Sequence, residues 1–344
     1  MIIGGDGYSK KALVCGGNGF IGAHLARRLK SLGYYVLVAD IKECEYGNDH
    51  ATDIAIGDLR DINFVETCVR SVHEIYQLAA DMGGCQYVFT GEHDADIMRN
   101  SAQINMNVLD CMVRLNPTAK VFYSSSACMY PQELQRYSKD VAKGGHKNGP
   151  YITFAHALKE SEAYPANPDS EYGWEKLFSE RLYLAYQRNY NLNVRIARFH
   201  NIYGPEGTYD GGKEKAPASI SRKVAKAVDS VEIWGDGLQT RSFLYIDDCV
   251  DAVLLLMKSE YKKPINIGSE ESVTILDLWK TAIEISGKEL TIKHIDRPDG
   301  VLGVMGRNSD NTIIKRVLNW SPKYSLQLGL EITYKWINSQ VNGK

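Results

Sequence analysis

The stretch Lys10–Asp40, KKALVCGGNGFIGAHLARRLKSLGYYVLVAD, decides the fold. ALVC (Ala12–Cys15) is a short apolar run of the kind a buried parallel strand needs. A glycine-rich turn follows. Ile21, Leu25, Leu29 and Leu32 then recur at helical spacing until Gly33 stops the helix. YYVLVAD (Tyr34–Asp40) reads as a second strand. Strand, turn, helix and strand fit into about thirty residues, the size of one βαβ unit.

Gly16, Gly19 and Gly22 carry the turn in a G-x-x-G-x-x-G spacing, with Phe20 and Ile21 between the last two. Such a turn lets a pyrophosphate approach the backbone and opens a helix whose N-terminal amides face that anion. Asp40 ends the next strand, where a carboxylate binds a ribose 2′-hydroxyl and repels a 2′-phosphate. Together these residues predict NAD rather than NADP. Three glycines alone are a weak signal; their place between a strand and a helix makes it specific. Asp58 and Leu59, in IGDLRD, follow the expected third strand and are placed to flank an adenine.

The alternation continues along the chain. EIYQLAAD reads as a strand end, Asn100–Arg114 as a helix, AKVFYSSS as a strand, Tyr172–Tyr190 as a helix and NVRIARF as a strand. This predicts an α/β fold with a doubly wound parallel sheet. Past about residue 200 the loops GPEGTYDGGKEKAP and WGDGLQTRS are rich in glycine and charge, before YIDDCVDAVLLLMKS returns to a helix and PINIG to a strand. Thr274 with Asp277 can cap the helix ILDLWKTAIEIS, and SLQLGLEITYKWINSQ is a last amphipathic helix. Residues 132–156 have weak periodicity and several Lys and Gly, and read as a long surface loop with room for some helix.

Composition narrows the function classes. The chain has 344 residues, 44% hydrophobic and 24% charged, with a net charge of −2. No global basic field draws in nucleic acid. No run of about 18 apolar residues predicts a membrane span, and the N-terminus lacks the apolar core of a secretory signal. Cys15, Cys44, Cys68, Cys85, Cys111, Cys128 and Cys249 form no CxxC or zinc-like spacing. Reduced thiols, no metal site and a cytoplasmic location are expected.

Tyr172 and Lys176 stand four apart on one helix face, and Ser126 stands at the end of the strand before it. Oxidising an alcohol with NAD needs a base for the hydroxyl proton. A free tyrosine, with a pKa of about 10, is too weakly ionised for this near neutrality. A nearby ammonium lowers it and can hold the nicotinamide ribose, while Ser126 hydrogen-bonds the same substrate oxygen.

G-x-x-G-x-x-G, Asp40, SSSA, YGWEK, RFHNIYGP and RSFLYIDD occur in order over almost the whole chain. Together they resemble the extended short-chain dehydrogenase/reductase family that acts on nucleotide sugars. The resemblance implies a Rossmann-type sheet with a smaller C-terminal α/β substrate-binding domain. The division expected is residues 10–200 plus 243–270 for the NAD-binding domain and 201–242 plus 271–340 for the nucleotide-sugar domain. It also implies a homodimer through a four-helix bundle of the Asn100–Arg114 and Tyr172 helices. The Ser126-to-Tyr172 distance departs from the family pattern because the 132–156 loop is long.

LAADMGG (Leu78–Gly84), SSACMYP (Ser125–Pro131), Arg198–Ser219, WGDGLQTRSF (Trp234–Phe243) and GRNSDN (Gly306–Asn311) resemble one branch of that family. This branch epimerises a GDP-sugar at C3 and C5. The resemblance implies GDP-mannose as substrate and places an acid/base pair on Cys128 and Lys215. It places substrate contacts on Gly83, Asn201, Glu214, Lys223, Gln239 and Arg307. Ser125 is a further candidate for contact with substrate or cofactor. Arg241, Arg307 and Lys223 are the cations available to a diphosphate. His200 is expected to be structural. Ala127 and Cys128 replace the acidic pair of a dehydratase, which disfavours simple 4,6-dehydration. Open alternatives are a C3-only, C5-only or C4 epimerase, or a 4-oxidase, acting on another GDP-sugar such as a GDP-heptose. A non-catalytic NAD and nucleotide-sugar sensor is the remote one, since such proteins lose the Tyr or the Lys.

Overall fold

A computed structural model describes residues 8–135, 156–296 and 304–343. Strand β1 (Lys10–Cys15) pairs in parallel with β2 (Tyr34–Asp40), and β2 with β3 (Asp53–Ile56). On its other side β1 meets β4 (Glu74–Gln77), followed by β5 (Lys120–Ser126) and the strands Asn193–Phe199 and Ile265–Ile267. All seven strands are parallel. The chain changes direction across the sheet between β1 and β4, so the crevice beyond the C-terminal ends of those two strands is the place for a ligand.

Successive β1 side chains divide between two cores. Ala12 and Val14 join one, Leu13 and Cys15 the other. On β5, Phe122 faces the first core, and Val121 and Tyr123 face the second. Both faces are covered, which is why these strands read as unbroken apolar runs. One face is covered by α1 (Phe20–Ser31) and the helix Ile246–Lys258, the other by the helices Ile62–Val69, Asp94–Leu115 and Glu171–Tyr190. No helix of the described residues is long and apolar enough to cross a membrane.

A smaller four-stranded sheet runs in the order Ser272–Thr274, Thr240–Ser242, Gly306–Ser309, Ala157–Leu158. It brings the 157–158 end of the long loop beside the GRNSDN segment. The strand Ser230–Trp234 pairs separately with Thr291–Ile295.

Most element boundaries agree with the sequence reading. Thr274 caps Ile275–Ser286 as expected, its Oγ1 accepting the Asp277 N–H at 3.0 Å and donating to the Asp277 carboxylate at 2.7 Å. The helix expected from Asn100 starts earlier, at Asp94. Asp94 and Asp96 in its first turn suit the positive end of the helix dipole. Residues 136–155 of the expected surface loop lie outside the described residues. Of its described residues Glu133 and His156 are exposed as expected, whereas Gln135 is buried, as is Leu158 just beyond it.

Candidate active site

The glycine turn sits at the point where the sheet changes direction. Gly16 has φ +74°, and a Cβ there would stand 2.8 Å from the backbone nitrogen of Ala79, just past β4. A Cβ on Gly22 would be 2.1 Å from the Gly16 carbonyl oxygen, so α1 can pack against the turn only with glycine. Gly19 precedes α1, and among the described residues no side-chain cap holds the helix's first N–H groups. Uncapped amides at the end of a 12-residue helix suit a pyrophosphate.

Asp40 is buried at the end of β2. Its Oδ2 accepts the Asn18 N–H at 3.0 Å and its Oδ1 the Lys42 N–H at 3.2 Å. A carboxylate has about four lone-pair sites, so this one can still take a ribose hydroxyl. Asn18 is itself fixed by the Lys42 carbonyl at 2.7 Å and by His50 Nε2 at 2.9 Å. Asp58 forms an ion pair with Arg60, whose hydrogen bonds hold its carboxyl below the usual range. Leu59 is buried, and its carbonyl accepts from the Asn107 amide at 3.0 Å. These residues fit a dinucleotide whose adenosine ribose carries no 2′-phosphate.

Ser126 ends β5, and the helix Glu171–Tyr190 carries Tyr172 and Lys176 to it. Ser170 starts that helix by accepting the Gly173 N–H at 3.2 Å. The Lys176 Nζ donates to the Ser124 carbonyl at 3.1 Å and lies 5.7 Å from the centroid of the Tyr172 ring. Burial pushes the Tyr172 phenol well up, with the charge of Cys128 adding to it; Ser126 and Arg307 pull the other way. Burial lowers the Lys176 ammonium, while Glu175 and Cys128 raise it. The sequence reading expects a phenol lowered by its lysine. In the protein chain alone desolvation outweighs the neighbouring charges, which is why the shift runs upward. Ser125 Oγ is buried with no hydrogen-bond partner among the described residues, an unmet group beside the same strand end.

Cys128 follows in a single turn, Ala127–Met129, capped by Ser126: the Cys128 N–H donates to Ser126 Oγ at 3.2 Å. The thiol is partly accessible and lies with Met82 and Tyr87 against a small cluster that includes Tyr172. Arg307 reaches it from the smaller sheet, with Nη1 at 2.9 Å from Sγ. The guanidinium also donates to Asp169 Oδ2 at 2.8 Å and to Gln135 Oε1. Sequence reasoning offers Arg307 to the substrate's diphosphate; the structure places it beside the thiol. Asp169 and Gln135 belong to no recognisable motif, and nothing in the sequence singles them out.

Lys215 stands at the start of the helix Ala216–Lys226, its carbonyl accepting the Ser219 N–H at 2.9 Å. Its charge works against the burial that pushes the Cys249 thiol up. The loop before it is locked to the LAADMGG segment: the Gly84 N–H donates to the Lys213 carbonyl at 3.0 Å, and a Cβ on Gly84 would be 2.4 Å from the Glu214 carbonyl. That segment therefore touches both the Lys215 loop and, through Met82, the Tyr172 and Cys128 cluster. Tyr87, packed on Gly83, carries the Lys213 ammonium 3.8 Å from its ring centroid. Glu214 pairs with Arg222 at 3.0 Å.

The remaining expected contacts line the smaller sheet and its surroundings. Arg241 stands opposite Arg307 in parallel register, and its guanidinium donates to the Thr240 and Val304 carbonyls at 2.8 and 2.6 Å. Lys223 lies 5.0 Å from the Trp234 ring centroid, its ammonium lowered by burial. Asn201, at φ +44°, donates to the Ser242 carbonyl at 2.9 Å. Gln239 is buried, and its carbonyl accepts the Ile275 N–H at 2.9 Å. His200 is fully buried, with Nε2 at 3.1 Å from Asn266 Oδ1, and burial lowers it to about 3.

Comparison with known proteins places the chain in a family. The chain is similar to GDP-mannose 3,5-epimerase of Arabidopsis thaliana, with 42% identity over 96% of this chain and 83% of that protein. It is equally similar to GDP-mannose 3,5-epimerase 1 of Oryza sativa subsp. japonica, with 42% identity over 95% of this chain and 82% of that one. Among solved structures it resembles UDP-glucose 4-epimerase from Thermotoga maritima with UDP-glucose: TM-score 0.78, 26% identity, 96% of this chain and 100% of that one. It also resembles UDP-glucuronic acid 4-epimerase from Bacillus cereus, solved with a fluorinated UDP-glucuronic acid and NAD. There the TM-score is 0.77 and the identity 26%, over 96% of this chain and 99% of that one. With the NAD dependent epimerase/dehydratase family model matching residues 12–268 over the same sheet, the chain belongs to that family of NAD-dependent nucleotide-sugar enzymes.

Proposed function

We propose that the protein inverts C3 and C5 of GDP-mannose, towards GDP-L-galactose and GDP-L-gulose, by transient oxidation at C4. The observation that carries this reading is the Cys128 thiol in the same cleft as Tyr172 and Lys176. A plain 4-epimerase has no need of a second acid or base there. The 42% identity to two plant GDP-mannose 3,5-epimerases supports the choice of sugar.

NAD, when bound, would supply the hydride chemistry at C4. The chain's own residues handle protons. Tyr172 takes the C4 hydroxyl proton with Ser126 bonded to the same oxygen, and Lys176 orients the nicotinamide ribose. Once C4 is a ketone, C–H bonds at C3 and C5 are acidic because the carbanion delocalises into an enolate. Cys128 removes such a proton on one face of the ring, and Lys215 delivers one on the other. A thiol and an amine, ordinarily near about 8.5 and about 10.4, span the range needed for this exchange. Tyr172 finally returns its proton to O4, so the net reaction is an isomerisation.

In this reading Gly83, Ser125, Asn201, Glu214, Lys223, Gln239 and Arg241 surround the GDP-sugar, and the two-lobed division expected from the sequence places it between the lobes. A second copy of the chain pairs through the Asp94–Leu115 and Glu171–Tyr190 helices. Exposed Trp174 and Phe178, and a groove lined by Phe178, Arg181, Leu182 and Ala185, support that face.

The test is a product assay. GDP-mannose incubated with the purified protein gives GDP-L-galactose and GDP-L-gulose by NMR. Untouched GDP-mannose alongside conversion of another GDP-sugar contradicts the choice of substrate.

A further inference from the structure

We propose that Asp169 and Gln135 are positioning residues that aim the Arg307 guanidinium at Cys128, and that Asp169 sets how basic the Cys128 thiolate is. This rests on the reading of Cys128 as the base of the reaction.

Each of the three guanidinium nitrogens of Arg307 donates to a partner: Nε to Gln135, Nη1 to Cys128 and Nη2 to Asp169. Gln135 turns its Oε1 to Arg307 because its amide NH₂ is spent on the Tyr130 and Pro131 carbonyls, at 3.0 and 3.3 Å. Its backbone carbonyl accepts the Met305 N–H at 3.0 Å, which ties it to the segment entering the Arg307 strand. Asp169 stands next to the Ser170 cap, so the turn that starts the helix aims both Asp169 and Tyr172. Asp169 and Arg307 form an ion pair at 2.8 Å in which both side chains are less than a tenth exposed. The remaining nitrogen, Nη1, points at Sγ at 2.9 Å.

A guanidinium has donors and no acceptor. An N–H aimed at sulfur favours the thiolate, the form that acts as a base. Asp169 is the counterweight: it shares the guanidinium charge, so the sulfur anion is held without losing its appetite for a proton. Among the described residues, Tyr172 and Lys176 are the other titratable groups that act on Cys128, and Tyr87 packs on the same cluster. Ser126 meets its backbone N–H. Two substitutions therefore act in opposite directions. Asp169→Asn removes a carboxylate that shares the guanidinium charge with the thiolate, and Arg307→Gln removes that charge.

The experiment is iodoacetamide alkylation of Cys128 in the full-length protein, followed by mass spectrometry of its peptide across pH 5 to 10 (roughly the span of an ordinary thiol titration). The pH midpoint is expected to fall in Asp169→Asn and rise in Arg307→Gln, each by about one unit, with Asp169→Glu near wild type. Circular dichroism checks that each variant is folded. With GDP-mannose, Asp169→Asn is expected to lower kcat for proton exchange several-fold with KM little changed. Midpoints that stay put in both folded variants, or move the same way, overturn the proposal. Alkylation reads the thiol without substrate, so midpoints that move as expected in a protein inert toward GDP-mannose contradict the proposed function and not this network.

Discussion

Arg307 Nη1 lies 2.9 Å from Cys128 Sγ, although 179 residues separate the two in sequence. The contact joins the smaller sheet, which carries Arg307, to the turn after β5, which carries Cys128 and Ser126. Any step that uses Cys128 therefore depends on the smaller sheet standing where it does. The proposed reaction divides its work between a redox step at Tyr172 and a proton exchange at Cys128.

Tyr172→Phe removes the phenol and leaves the ring packed with Val88 and Ile97. The fold and NAD binding are expected to persist, and turnover to drop by roughly 10²- to 10⁴-fold, the usual worth of a positioned acid/base. Steady-state rates with GDP-mannose, beside a fluorescence titration with NAD, measure the two effects separately.

Asp40→Asn keeps an acceptor for one backbone N–H and loses the charge. Hydrogen bonds to charged groups contribute about 1.5–3 kcal/mol, so the Kd for NAD is expected to rise by roughly ten- to a hundredfold. The same change removes the repulsion of a 2′-phosphate. Calorimetric titration with NAD and NADP is expected to show the preference between them narrowing.

His200 ties acid stability to the core. Its folded value is about 3, against about 6.5 for an unfolded histidine. Between these values the unfolded chain binds the extra proton, so stability rises with pH across this window and is lost as pH falls from about 6.5 towards 3. The slope from this residue is at most about 1.4 kcal/mol per pH unit. Urea unfolding at pH 7 and pH 5 is expected to show a smaller pH effect in folded His200→Asn than in the wild type.

The residues proposed for cofactor binding and the redox step are legible in the sequence because their spacing is local. The glycine turn, Asp40 and the Tyr172–Lys176 pair each sit within one βαβ unit or one helix face, where spacing alone places them. The Arg307 network is not legible. Gln135 lies at the edge of a stretch with weak periodicity and reads as surface, yet it is buried, with Arg307 and Met305 bonding to it from the far end of the chain. Asp169 looks like an ordinary residue before a helix cap. Tyr172 shows a third limit: its lysine is visible in sequence, but its desolvation is set by tertiary packing, which reverses the expected direction of the shift.

The central claim is that Cys128 moves a carbon-bound proton of the sugar. Wild-type protein and Cys128→Ala are each incubated with GDP-mannose in D₂O, and deuterium at C3 and C5 is read by NMR. The account predicts deuterium at both carbons with the wild type, and a folded, NAD-binding variant in which incorporation collapses. Undiminished incorporation in Cys128→Ala contradicts it.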